Sequence, residues 1–180
     1  MNIELIEIAG IRALVEAVRL PWESHDRSDS HLKFNLDCKE VFGDLQITYG
    51  VNGTFGEDDI SLAERLAKAG DDHGKAIRGV VVYLKITAPR YMWPEIDTYT
   101  VGVTPMGSDS TMHKEGKHLK GAELQKVKSE IKEGRLQTRI KMFSYPTLSR
   151  IKRQRKNHRL PEWQEFIDFI NTLPFQELLI

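Results

Sequence analysis

Ten side chains with chemistry to offer crowd between His73 and His113: His73, Lys75, Arg78, Arg90, Glu95, Asp97, Tyr99, Ser108, Ser110 and His113. Histidine, carboxylate and phenol can move protons, while lysine, arginine and hydroxyl can hold anions. No other stretch is as dense in such groups. A second feature is RIKRQRKNHR, which holds Arg150, Lys152, Arg153, Arg155, Lys156 and Arg159 and no acid. The whole chain has 26 basic and 26 acidic residues, so the remainder carries −6 and the charge is polarised. Clustered arginine suits phosphate, because its planar fork stays charged and gives paired hydrogen bonds. The partner could be a nucleotide or a nucleic-acid backbone. No aromatic residue interleaves the run to stack bases, which weighs against single-strand binding. A solvated helix face is the other reading. Asp71-Asp72-His73 is not taken as a metal site, because adjacent side chains diverge and rarely chelate one ion.

The elements that must position these groups follow from periodicity. Val80–Thr87 is strongly apolar and reads as a buried strand, with Ala88–Arg90 as a turn. Tyr91–Thr100 has helical spacing, and Gly102–His113 reads as a polar loop. Upstream, Asn2–Ile8 reads as a short strand and Ile11–Leu20 as a helix ended by Pro21. Trp22–His31 reads as a solvated loop, although Glu23, His25 and Asp26 within it could be functional. Leu45, Ile47 and Tyr49 alternate after a Gly43-Asp44 turn, which favours a strand, and Val51–Gly56 reads as a second turn. Asp58–Ala69 is the clearest helix, with Asp58 or Asp59 as its cap and Gly70 as its stop. Downstream, Lys114–Lys120 reads as basic and flexible. Helices are expected over Gly121–Glu133, from Pro146 to Lys156, and over Pro161–Leu173. Leu136–Phe143 is a weak strand or a lead-in.

Hydrophobic content of 40% and charged content of 29% are those of a soluble globular protein. One domain over residues 1–180 is expected, of α+β class, with a central antiparallel or mixed sheet, flanking helices and an inserted hairpin over 28–56. Cys38 is the one cysteine, so no intramolecular disulfide and no Cys-Cys zinc pair can form, and no metal is expected. With no signal peptide and no long apolar run, a cytoplasmic location is expected and a membrane partner is not.

LAERLAKAGDDH, GKAIRG, VVVYLKIT and APR are followed by Glu95-x-x-Thr98-Tyr99-Thr100 and by Ser108 after seven residues. TLSRIKRQR and PEWQEF complete the pattern. In this order and spacing the chain resembles the flavin-dependent thymidylate synthases over most of its length, residues 28–56 aside. It looks like a divergent, phage-type relative. Glu95 falls at the family's motif Gln, and Thr98-Tyr99-Thr100 at its Arg-His-Arg. Lys75 stands at an earlier Ser, and Arg78-Gly79 at a Glu-His. Two threonines cannot replace two cations opposite phosphates.

The resemblance implies that fold, a pyrimidine nucleotide as partner, and flavin (FAD) and methylenetetrahydrofolate as cofactors. Flavin is expected to bind weakly or not at all, given Thr98 and Thr100. Carried over by position, Arg155 and Ser108 would hold the nucleotide, with Ser110, His113 and Arg150 beside them. His73, Lys75, Arg78 and Arg90 would line the cofactor or ligand pocket. Glu95, Asp97, Tyr99 and Ser108 would be the catalytic or ligand-selecting groups of an altered, base-modifying transferase. A homotetramer is implied, since family sites lie between subunits. The alternative is a non-catalytic binder of a nucleotide, nucleic acid or protein on the same scaffold. A phage regulatory or counter-defence protein in the host cytoplasm would be one such case.

Overall fold

The computed structural model describes residues 1–41, 44–70 and 72–179. Gly43, where the sequence predicts a turn, and Asp71 lie outside the described residues. The chain forms two compact units, one of Met1–Ile8 with Val81–Leu179 and one of Ala9–Val80.

The first unit is built on a four-stranded sheet in the order β1-β4-β6-β5. These are β1 (Asn2–Ala9), β4 (Val81–Pro89), β5 (Val103–Ser108) and β6 (Leu136–Ser144). β4 and β5 both pair antiparallel with β6. The sequence VVYLKITAP alternates as a strand must, burying Val82, Leu84, Ile86 and Ala88 completely. Lys85 points the other way and reaches Glu4 of β1 at 3.0 Å. Phe143 of β6 stands opposite Val82 and meets Phe166 edge to face at 5.8 Å. That contact docks α7 (Pro161–Ile170), which buries Trp163, Phe166, Ile167 and Ile170. α6 (Tyr145–Arg155) adds Tyr145, Leu148 and Ile151, and α3 (Met92–Asp97) adds Met92, Trp93 and Ile96. Each large apolar side chain buried this way contributes about 1.5–3 kcal/mol. Together these residues form an α+β unit with helices flanking an antiparallel sheet.

Two expectations change here. The predicted loop Gly102–His113 contains the edge strand β5 and the short helix α4 (Thr111–Lys114). An edge strand needs no apolar alternation and tolerates Pro105, and a register shift between Pro105 and Gly107 hides its period. α5 (Gly121–Ser129) also stops short of Glu133. The carbonyls of Glu133 and Arg135 are taken by the N–H groups of Tyr91 and Arg90, which holds that stretch outside the helix.

In the second unit, α1 (Ile11–Arg19) buries Ile11, Leu14, Val15 and Val18. Single 3₁₀ turns follow at Leu20–Trp22 and His25–Arg27. β2 (His31–Val41) and β3 (Asp44–Thr54) form a two-stranded antiparallel sheet. The predicted turn at Val51–Gly56 is strand as far as Thr54. Gly53 has φ +129°, and a Cβ there would overlap the His31 carbonyl oxygen, so this glycine serves close strand approach. α2 (Glu57–Lys68) follows Gly56, and Asp58 and Asp59 are not its caps. Instead the Asp29 carboxylate accepts from Asp58 N at 3.0 Å and Asp59 N at 3.2 Å. Asp59 is fully buried and accepts from Arg19 Nε and Ser28 Oγ, each at 2.6 Å. Gly10, at φ +93°, opens α1 where a Cβ would overlap the Gly79 carbonyl oxygen. The two ends of this unit therefore run past each other in direct contact.

Candidate functional site

The turn after α3 and one side of α6 enclose a cleft of about 400 Å³ in the first unit. Thr98–Val101 form one wall, and Arg150, Gln154 and Arg155 the other. Helical spacing puts 150 and 154 one turn apart, with 155 beside them. The cleft is mainly polar because Tyr99 is turned into the core, where it is 5% exposed and meets Trp163 edge to face at 5.9 Å.

Arg155 is the hub of this cleft. Its guanidinium lies 4.7 Å from the Trp163 ring centroid and 5.5 Å from that of Tyr99. Nε donates to the Tyr99 hydroxyl oxygen at 3.0 Å, and Nη1 lies 3.1 Å from Glu95 Oε2. The basic run contains no acid, but an acid from α3 meets Arg155 all the same. His158 Nε2 lies 3.8 Å from the same Glu95 oxygen. Leu160 N donates to His158 Nδ1 at 3.2 Å, so Nδ1 is the acceptor and Nε2 carries the hydrogen toward Glu95.

The cleft floor is pinned. The Val101 carbonyl accepts from Thr147 Oγ1 at 2.7 Å and from Arg150 Nη2 at 3.2 Å. Gly102 has φ +74°, and a Cβ there would overlap the hydroxyls of Ser144 and Thr147. Ser144 N donates to the Gly102 carbonyl at 2.8 Å. Only glycine lets the turn sit this close to the start of α6.

A second, smaller pocket of about 270 Å³ lies on the β5–β6 edge of the same unit, between Pro105–Ser108 and Arg139–Lys141. Lys141 is 4% exposed, and its ammonium pairs with Asp97. Arg139 Nη1 reaches the other Asp97 oxygen at 3.0 Å, and its guanidinium sits 4.5 Å over Trp93. Arg139 and Lys141 alternate with Gln137 on one face of β6, and Gln137 Oε1 accepts from Arg139 Nε at 3.1 Å.

The structure brings Glu95, Tyr99, Arg150 and Arg155 together. Asp97 and Ser108 belong to the smaller pocket, so Ser108 does not line the cleft of Arg155. Ser110 caps α4 by accepting from Met112 N at 3.1 Å, and His113 is exposed in that helix. Arg90 turns to the stretch before β6, donating to the Ile131 carbonyl at 3.3 Å with Glu133 at 3.7 Å. His73, Lys75 and Arg78 lie exposed at the Gly74–Gly79 turn of the second unit. Sequence reasoning missed Arg139, Lys141, Gln154 and His158. The period-2 spacing of Gln137, Arg139 and Lys141 was the available signal. Near the smaller pocket's sheet, Tyr91 donates to Glu162, and that bond, with some burial, raises the phenol above its ordinary value. Among the described residues, no group of three His, Cys, Asp or Glu could hold a metal, and no helix is long and apolar enough to cross a membrane.

No family model and no curated protein matches the sequence. Solved structures do match. A flavin-dependent thymidylate synthase, ThyX, from Helicobacter pylori with FAD and dUMP superposes with a TM-score of 0.71 at 12% identity, covering 99% of each chain. The UMP/dUMP methylase PolB from Streptomyces cacaoi, bound with 5-Br dUMP, gives 0.61 at 12% identity over 99% of this chain and 93% of that one. The chain has the fold of the flavin-dependent thymidylate synthases.

Proposed function

We propose that this chain is a pyrimidine-nucleotide-handling protein whose cleft seats a nucleoside monophosphate, with the phosphate against Arg150 and Arg155. The observation that carries this reading is two guanidiniums facing one polar cleft of about 400 Å³. Bidentate donors in a cleft of that size suit a phosphate. The likeness to structures holding dUMP and 5-Br dUMP supports it as a fold-level analogy. Ser108 and Arg139 of the smaller pocket are the proposed second group of contacts.

Between the two forms of this function, binding is favoured over base modification. Every acid–base candidate is already engaged: Glu95 by Arg155, Asp97 by Lys141 and Arg139, and Tyr99 by Arg155 within the core. A transferase acting on the base is the second reading, and the smaller pocket with its buried Lys141 favours it. The residues do not fit the phosphates of a flavin dinucleotide at Thr98 and Thr100. Thr98 Oγ1 donates to the Glu95 carbonyl of its own helix at 2.7 Å, and neither residue brings a cation. Methylenetetrahydrofolate has no residue set assigned to it. A homo-oligomer, a tetramer as the resemblance implies, completes the proposal.

Calorimetric titration with dUMP and UMP tests this. Wild type should bind, Arg155→Lys should bind more weakly, and Arg153→Lys, outside the cleft, should bind as wild type. A wild type that binds neither nucleotide ends the nucleotide reading. Equal binding by Arg155→Lys ends the phosphate assignment.

A further inference from the structure

We infer that the ligand of this cleft is a nucleotide carried in a single-stranded polynucleotide, with the exposed cations beside the cleft holding the flanking phosphates. This rests on the proposed nucleotide site and extends it. Of the six cations in Arg150–Arg159, two face the cleft and make defined bonds there. The other four do not. Among the described residues, Lys152, Arg153, Lys156 and Arg159 make no ion pair and no side-chain hydrogen bond, and Arg153, Lys156 and Arg159 are exposed.

A free mononucleotide needs none of these groups. Four unpaired cations within residues 152–159 give the end of α6 a local positive potential, which draws an anion. The molecule is neutral overall, so the excess is local. Lys152 and Arg153 lie in the last turn of α6, Lys156 is the residue just past its end, and Arg159 lies in the short link before α7. A polyphosphate backbone is the anion that matches several exposed cations gathered at one helix end. The strand must be single, because the cleft can take only a base that is free of its partner. No aromatic side chain interleaves the run, so bases outside the cleft gain no stacking. Affinity for the flanking strand therefore rests on phosphate alone, which makes it steeply salt-dependent and indifferent to flanking sequence.

The test is fluorescence anisotropy with a short labelled single-stranded pyrimidine oligonucleotide, beside calorimetry with dUMP, on wild type and on the triple variant Arg153→Gln, Lys156→Gln, Arg159→Gln. Wild type should bind the oligonucleotide more tightly than dUMP. With three phosphates neutralised, a fourfold rise in salt should weaken oligonucleotide binding roughly twentyfold. The triple variant should fall to the mononucleotide level and lose most of the salt dependence, keeping only that of the phosphate held by Arg150 and Arg155, while its unchanged dUMP binding shows an intact fold. If dUMP binds and the oligonucleotide binds no tighter, the polynucleotide inference fails and the nucleotide site stands. If neither binds, both fail. Tighter binding to a duplex of the same sequence, an unaffected triple variant, or loss of self-association in that variant would each overturn it.

Discussion

Glu95 decides how much of the Arg155 charge a ligand can feel. The carboxylate lies 3.1 Å from the guanidinium, so an incoming phosphate competes with it. Glu95→Gln should therefore tighten nucleotide binding several-fold in calorimetry. Weaker binding would mean that Glu95 aims Arg155 and does not merely neutralise it. Tyr99 acts differently. Its ring packs on Trp163 and under the Arg155 guanidinium, and its hydroxyl oxygen accepts from Arg155 Nε. Tyr99→Phe keeps the packing and removes one acceptor, which should cost about 0.5–1.5 kcal/mol of stability and shift the thermal midpoint by a few degrees. A loss of turnover without loss of binding in that variant would restore Tyr99 to a chemical role. The identities of these residues were legible in the sequence, and Tyr99 stood out within the altered motif. Their pairing was not, because Glu95, Arg155 and His158 meet only when α3 and α6 pack, and no local pattern encodes that meeting.

At the scale of elements, the Arg19–Asp59 pair joins α1 to α2 inside the second unit. Burial works to raise the Asp59 carboxyl, but hydrogen bonds from Ser28, Ser30 and Arg19 and the Arg19 charge outweigh it and hold the group below its ordinary value. A carboxyl lowered by folding contributes stability above its unfolded value and loses it as pH falls through the folded one. Acid unfolding of the wild type should thus contain a step below the usual aspartate range that Asp59→Asn removes. Asp59→Ala, which strands the buried Arg19, should cost about 3–5 kcal/mol in urea unfolding. Strong periodicity made β4, α1, α2 and α7 readable in advance, and Pro146 marked the start of α6. β5 was unreadable for a physical reason: an exposed edge strand with Pro105, Gly107 and a register shift has no apolar period to show. The cap of α2 was misread because Asp29, distant in sequence, accepts the N–H bonds that a local aspartate was expected to take.

For the whole molecule, the proposed homo-oligomer is tested by light scattering, where a mass above 20.7 kDa is expected at working concentration. Leu5 and Ile6 on the edge strand β1 are 37% and 48% exposed, so Ile6→Lys is the variant to compare. A monomeric wild type removes the shared-site arrangement. Purified protein should also lack stoichiometric flavin absorbance, and retained flavin would show that other cations hold its phosphates. The contact between Gly10 and Gly79 bears on how the chain folds at all. β1 is made first, yet its partner β4 begins only at Val81, after the whole of Ala9–Val80. The first strand must wait through synthesis of that insert before it can pair. Closing a flexible loop of this length carries an entropic cost that grows with the logarithm of its length. An insert that folds first, pinched where Gly10 meets Gly79, has already brought the two strands' ends together and removed most of that search. Pulse-labelled hydrogen exchange should then protect α1 and α2 before β1 and β4. Gly10→Ala, which cannot close the pinch, should slow sheet formation more than it slows the helices.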